Sequence, residues 1–274
     1  MVSNHGQKSY HAYFKTDLTQ PDAVVFETED GNFFSFGLKA MAYYDASSKN
    51  YHIISRAKKS RKPEVEGNTI TYSNILPGVD VRLSYQATLL KEEILLTPKA
   101  RENLPDPSTL GMKGGDVYLV FLTQFSADTS LAAYADQRKI SERGRGRGGA
   151  GELMFDFEGE ERIDFKSLDG ELKYFLPVDF AFMEEGTDEA NRRRIKRRLL
   201  SNEQGNFILA GIPLKWLQNQ LPSTVVFDPS VNLYSIVPTR VMLLSTAIIL
   251  TPTAAALPTS TSAAMPAIRC TVPF

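Results

Sequence analysis

Apolar and polar residues alternate with a period of two along much of this 274-residue chain, the pattern of half-buried strands. Val79, Val81, Leu83 and Tyr85 alternate with Asp80, Arg82 and Ser84, and residues 89–96 return as a second strand that stops at Pro98. Together they predict a hairpin. Residues 23–36 read as strand, Asp-Gly-Asn turn, strand. Further strands are expected at 41–44, from Tyr51, and at 69–72, 116–122, 153–157, 162–165, 172–176, 207–210 and 225–228. The turn over 201–206 predicts another hairpin. Residues 126–142 are the one stretch that reads as a helix, through Leu131-Ala-Ala-Tyr-Ala-Asp136. Turns recur about every ten residues, the rhythm of a sandwich or an open barrel. The expected fold is therefore all-β: an antiparallel β-sandwich-like or open-barrel domain with one short helix.

The same pattern divides the chain. Residues 1–22 are polar and read as an N-terminal arm. Residues 23–235 form the β-rich domain, with a break into two sub-sheets expected near 100–150. Beyond Pro238 the character changes: 241–250 is apolar, and 251–266 is nearly all Thr, Ala, Ser and Pro without a charge. Residues 236–274 are thus expected to be a disordered, low-complexity tail. Its apolar run is too short to span a bilayer, so no transmembrane span is expected. The first residues lack the basic start and apolar run of a signal peptide. This fits an intracellular protein or a piece of a longer one, and the second reading is favoured.

Composition narrows the functional classes. Hydrophobic residues make up 42% and charged residues 23% of the chain, which excludes wholesale disorder. A net charge of -1 argues against a dedicated nucleic-acid binder. Cys270 is the only cysteine, so an intrachain disulfide and a Cys-based zinc site are ruled out. His5, His11 and His52 share no metal-ligand spacing, and no metal or cofactor is expected. Residues 144–149 satisfy G-x-G-x-x-G but lack the apolar strand before and the helix after that a dinucleotide needs. They read as a soluble loop.

Two charged stretches carry candidate chemistry. Arg192, Arg193, Arg194, Lys196, Arg197 and Arg198 form either a polyanion patch or a charged strand that blocks edge-to-edge association. Regular alternation would place Arg192, Arg194, Lys196 and Arg198 on one side. The acidic residues over 156–161 offer paired carboxylates of the kind glycoside hydrolysis uses. A third group is structural. Asp80, beside Pro77 and Gly78, and Asp228, beside Pro229, stand at strand–turn corners where a carboxylate can accept backbone N–H bonds.

Four segments in order resemble a known series: Tyr72-Ser-Asn-Ile-Leu-Pro-Gly-Val-Asp80, Leu90-Lys-Glu-Glu-Ile-Leu-Leu-Thr-Pro98, Asp169-Gly-Glu-Leu172, and Val225-Val-Phe-Asp-Pro-Ser-Val231 with Tyr234-Ser235. The series is similar to the β domain that precedes SBBP-type β-propeller repeats in large secreted bacterial and archaeal proteins, related segments of which accompany RHS-type surface proteins. The resemblance covers about residues 4–235 and brings no catalytic residues with it. It implies a non-catalytic structural or adhesion module of an extracellular or cell-surface protein, presenting adjacent repeats. Its partners would be other domains of the same polypeptide or surface components. The expected repeat is missing after Ser235, which a frame change in the tail would explain. Two alternatives stay open: a carbohydrate-active enzyme using residues 156–161, and a polyanion-binding module using residues 192–198.

Overall fold

A computed structural model describes residues 10–28, 30–59, 62–86, 89–112, 115–144, 153–184, 191–220 and 223–233, with short stretches at 240–242, 247–248 and 269–270. The chain begins with strands β1 (Tyr10–Lys15), β2 (Val24–Thr28), β3 (Phe33–Asp45) and β4 (Asn50–Arg56). β5 (Glu64–Glu66), β6 (Thr69–Leu76), β7 (Val79–Tyr85) and β8 (Leu89–Leu96) follow. A one-turn helix α1 (Pro98–Glu102) and a 3-10 turn (Pro107–Leu110) lead to β9 (Val117–Ala127), β10 (Ala132–Ala135), β11 (Arg138–Lys139) and β12 (Ser141–Arg143). Then come β13 (Leu153–Gly159), β14 (Ile163–Lys166), β15 (Leu172–Leu176), β16 (Phe180–Met183), β17 (Arg193–Arg194), β18 (Lys196–Asn202) and β19 (Gly205–Pro213). A second one-turn helix α2 (Leu214–Gln218) precedes β20 (Val225–Asp228), β21 (Val231–Leu233), β22 (Arg240–Met242), β23 (Ala247–Ile248) and β24 (Arg269–Cys270).

The strands form two sheets that face each other without closing into a barrel. The first runs β12-β13-β18-β19-β9-β3-β2-β1-β22-β24, with β4 also on β3 and β23 on β1. The second runs β11-β10-β14-β15-β21-β8-β20-β16-β17, with β7, β6 and β5 added on β8. Pairing is antiparallel except between β1 and β22. One long strand organises each sheet. β3 has β9 along one edge and shares the other between β2 and β4. β8 has β7 along one edge and shares the other between β20 and β21.

Alternation puts one face of each sheet into a common core. Val79, Val81, Leu83 and Tyr85 are buried between half-exposed neighbours, as the sequence predicts for β7. Phe34 of β3 packs within 5.6 Å of both Phe125 and Tyr174, and Phe121 meets Phe227 edge-on at 4.9 Å. Buried tyrosines add polar ties. Tyr10 donates its hydroxyl to Gln86 O, Tyr72 to Lys15 O at 2.7 Å and Tyr174 to Phe33 O at 3.1 Å. Each of these crosses from one sheet to the other. A buried phenol needs such a partner, so three ring hydroxyls fix how the sheets sit face to face.

The expected helix over 126–142 is not there: the stretch holds the end of β9, then β10, β11 and β12. Asp136 and Gln137 both adopt positive φ, 45° and 65°, and Ala135 pairs with Arg138. This is a two-residue hairpin whose loop needs left-handed backbone twice, supplied here without the usual Asn-Gly. The helical turns lie at α1 and α2 instead, outside the stretch that suggested one. The strands expected at 33–36 and 41–44 are a single 13-residue strand, carried past Lys39 by a bulge between Leu38 and Ala40. Tyr10–Lys15 is a paired strand within the expected arm. From residue 236 onward the description covers only β22, β23 and β24, and the expected disorder of the tail falls on residues outside it. The glycine-rich stretch over 145–150 also lies outside the described residues.

Gly37 sits beside this bulge. A Cβ there would lie 1.7 Å from Gln20 O and 2.9 Å from Leu18 O, where Leu38 N–H already bonds Leu18 O at 3.0 Å. Backbone meets backbone with no side chain free to yield. Gly37→Ala is expected to lower stability by about 3 kcal/mol in urea unfolding; a variant as stable as the parent would show that the loop does not press on β3.

Candidate functional site

The outer face of the first sheet is the most distinctive surface. Ala40, Ala42, Tyr44, Val120, Leu122, Phe207 and Leu209 form a second apolar cluster there, on the face opposite the core. Beside it lies an open trough of about 640 Å³ whose floor includes Leu122, Leu200, Phe207 and Leu209. Its rim carries Lys39, Arg56, Gln124 and Gln204, and Tyr51 is 45% exposed. This size falls in the ordinary range of ligand clefts. Thr19, Tyr51 and Asn202 line the trough as well, so its wall is mixed polar and apolar.

The two charged stretches flank this surface on neighbouring strands. β13 carries Asp156 and Glu158 outward, between the buried Leu153, Phe155 and Phe157. β18 lies alongside, with Glu158 opposite Arg198 and Asp156 opposite Leu200. The charges engage diagonally. Glu158 takes Lys196 at 3.2 Å and accepts the Tyr44 hydroxyl at 2.8 Å, while Asp156 pairs with Arg198. Burial first, and then the hydrogen bond to Glu158, raise the Tyr44 phenol above its ordinary value. Burial alone would lower Lys196, but Glu158 and the Tyr118 phenol oxygen more than offset it, leaving the ammonium raised. Two acidic candidates and two basic ones are therefore each other's partners, while Glu161 keeps one buried carboxyl oxygen without a hydrogen bond.

The basic run is not one regular strand. Arg193 and Arg194 form β17 on the edge of the second sheet, whereas Lys196 onward belongs to the first. The chain crosses between sheets at the buried Ile195, whose N–H bonds Asp179 O at 2.9 Å. Arg193 and Arg194 are exposed, as is Arg192, which lies over the Phe182 ring at 5.8 Å. Lys196 and Arg198 point outward as alternation predicts. Arg197 points inward and is 2% exposed.

The second sheet is shaped to receive that guanidinium. β20 and β21 behave as one strand against β8: Val225 faces Leu96 and Val231 faces Leu90, with five residues between on each side. Their other neighbour does not keep step. Phe227 faces Ala181 and Asn232 faces Phe175, so five residues of the β15–β16 strand answer four. The extra residue bows out Pro177-Val-Asp179. Arg197 reaches into this bulge from the facing sheet, donating to Pro177 O at 2.6 Å and pairing with the Asp179 carboxylate. Burial pulls the guanidinium below its ordinary pKa; the adjoining carboxylate favours the charged form.

The Leu-Pro-Gly corner is a bulge in which residues 73–75 oppose Asp80 alone. Asn74 takes φ 51°, its N–H bonds Asp80 Oδ1 at 2.6 Å, and its own Oδ1 accepts Gly78 N–H at 3.1 Å. Gly78, just after Pro77, takes φ 71° and lies against α1: a Cβ there would meet Ala100 Cβ and Thr97 Oγ1 at 2.8 Å. Asp228, before Pro229, accepts from the Ser230 hydroxyl. Lys91 Nζ stands 3.9 Å from it.

His11 and His52 lie on β1 and β4, while His5 falls outside the described residues. Among the described residues no cluster of His, Cys, Asp or Glu is arranged to hold a metal, and no helix is long and apolar enough to cross a membrane. Sequence reasoning missed Asp179, Glu92 and the inward turn of Arg197. The signal was parity: Arg197 shares a face with Ile195 and Leu199, and Glu92 with Leu90 and Ile94. Compared with known proteins, the chain matches no family model, no curated protein and no solved structure.

These surroundings separate the charged residues by cost. Asp156→Asn removes an exposed carboxylate and should change stability by less than about 1 kcal/mol, and Arg198→Ala, which also loses a half-buried stem, by about 1 kcal/mol. Arg197→Ala strands a buried carboxylate and should cost about 3–5 kcal/mol. Urea unfolding of the three variants side by side checks this ordering, and equal costs would refute it.

Proposed function

We propose that this chain is a non-catalytic structural or adhesion module of an extracellular or cell-surface protein, presenting adjacent repeats. The observation that supports this most is the pairing of two of the four carboxylates over 156–161 with two cations of the basic run. Asp156 and Glu158 are held by Arg198 and Lys196, which leaves Glu160 and Glu161 as the carboxylates of that stretch outside these pairs. Arg197 is buried and Lys196 is paired, so the basic run offers a polyanion only its exposed first part. Ties between the sheets through Tyr10, Tyr72, Tyr174 and Arg197 suit a body that transmits load without coming apart.

Stretching single molecules of the full chain tests this directly. A module of this kind should give one dominant rupture as the inter-sheet ties fail together; a train of small ruptures would contradict it. In parallel, the purified protein should leave a panel of oligosaccharides intact. Hydrolysis abolished by Glu158→Gln would establish the enzyme reading instead.

A further inference from the structure

β8 carries one side chain that its neighbours leave unexplained. Leu90, Ile94 and Leu96 point into the core, and Glu92 follows them on the same face, 6% exposed. It lies across from the interruption between β20 and β21, where Pro229 stands in place of a pairing residue. Glu92 lines a cavity of about 40 Å³ together with Phe34, Thr123, Arg197, Pro229 and Ser230. Among the described residues no hydrogen bond or ion pair reaches its carboxyl.

The charged and polar groups facing Glu92 can be named element by element. From β20 and the interruption come Asp228 and Ser230, already joined to each other. From β18 comes Arg197, held by Asp179 and Pro177 O. From β9 comes the hydroxyl of Thr123; β3 and β19 bring only Phe34, Phe36, Ile208 and Ala210. Lys91 and Glu93, on the opposite face of β8, bond each other at 2.6 Å. The charge that acts on Glu92 is the like-charged Asp228, which Lys91 approaches to 3.9 Å, while Arg197, lining the same cavity, is committed to Asp179. A carboxylate here would be buried, unpaired and repelled, a costly state. A neutral carboxylic acid meets none of these penalties, and the cavity has room for about two or three waters to serve it.

We propose that Glu92 is a protonated latch at the fork of the second sheet: as a neutral acid it lets the β20–β21 interruption close on β8, and its ionisation loosens that joint. Burial, and secondarily the charge of Asp228, push the carboxyl up from 4.5 to about 8. The sign follows from which state holds the proton. Below the unfolded value both states are protonated and the stabilisation is complete. As pH rises toward 8 the unfolded chain releases its proton while the folded chain keeps it, so stability falls. Above the folded value both are ionised and the fall levels off.

The test is urea unfolding of the full chain from pH 5 to 9.5, for the parent and for Glu92→Gln, which keeps the shape and removes the titration. The parent's unfolding constant should rise by up to about tenfold per pH unit through the window and then level off. Glu92→Gln should lack that component and be the more stable protein at pH 9. Asp228→Asn should move the levelling point to lower pH. A Glu92→Gln variant that tracks the parent at every pH, or is less stable at pH 9, would overturn the latch and mark Glu92 as an anion. Should the variant not fold, carboxyl ¹³C NMR of the parent decides: titration of Glu92 near pH 8 supports the proposal, and titration below pH 6 refutes it. Hydrogen exchange reads the joint itself, since amides of β20 and β21 should lose protection at pH 9 relative to those of β9.

Discussion

A guanidinium placed between two apolar sheet faces dictates its surroundings. Arg197 leaves β18 on the core side because Ile195 and Leu199 do, and an unpaired cation there would be expelled or would unfold the region. What admits it is one extra residue in the β15–β16 strand. That residue bows out Pro177-Val-Asp179, so a carbonyl and a carboxylate meet the guanidinium from the opposite sheet. The same accommodation is visible on the next strand, where Asp228-Pro-Ser230 breaks the ladder against β8. The cavity beside Glu92 lies where these departures from regular pairing meet. Proline occurs in both breaks, where a missing N–H costs no ladder bond.

The rest of the charge follows a simpler rule. Outward-facing residues of β13 and β18 meet across one strand interval, so each acid finds a base without leaving the surface. This leaves the outer face of the first sheet with a band of paired ions beside a trough of mixed polar and apolar lining. The buried tyrosines and the Arg197 pair work on the opposite side of that sheet, joining it to the second by polar bonds that shape alone would not provide.

Much of this was legible in the residues. Alternation gave β7, β8 and the hairpin between them, and the turns at 30–32 and 201–206 delivered the hairpins they promised. Parity on β18 and β8 even pointed Arg197 and Glu92 inward, although nothing in the sequence said which partners waited there. Those partners come from pairings distant along the chain, β13 with β18 and β15 with β21, which local pattern does not encode. The misread helix had a local cause. Leu131-Ala-Ala-Tyr-Ala135 has high helix propensity, but it lies between β9 and a turn made of two positive-φ residues, and tertiary pairing with β14 overrides the preference. Likewise no spacing rule marked Lys39 as a bulge that would fuse two expected strands into one.

The central claim is that Arg197 and Asp179 act as one inter-sheet unit, and a double-mutant cycle measures that directly. Arg197→Met, Asp179→Leu and the double variant would be compared in equilibrium unfolding at pH 7. The account predicts that either single change is severely destabilising, that the double variant recovers much of the loss, and that the coupling is about 3 kcal/mol. Additive losses, with coupling near zero, would mean the two residues do not depend on each other, and the account would fail.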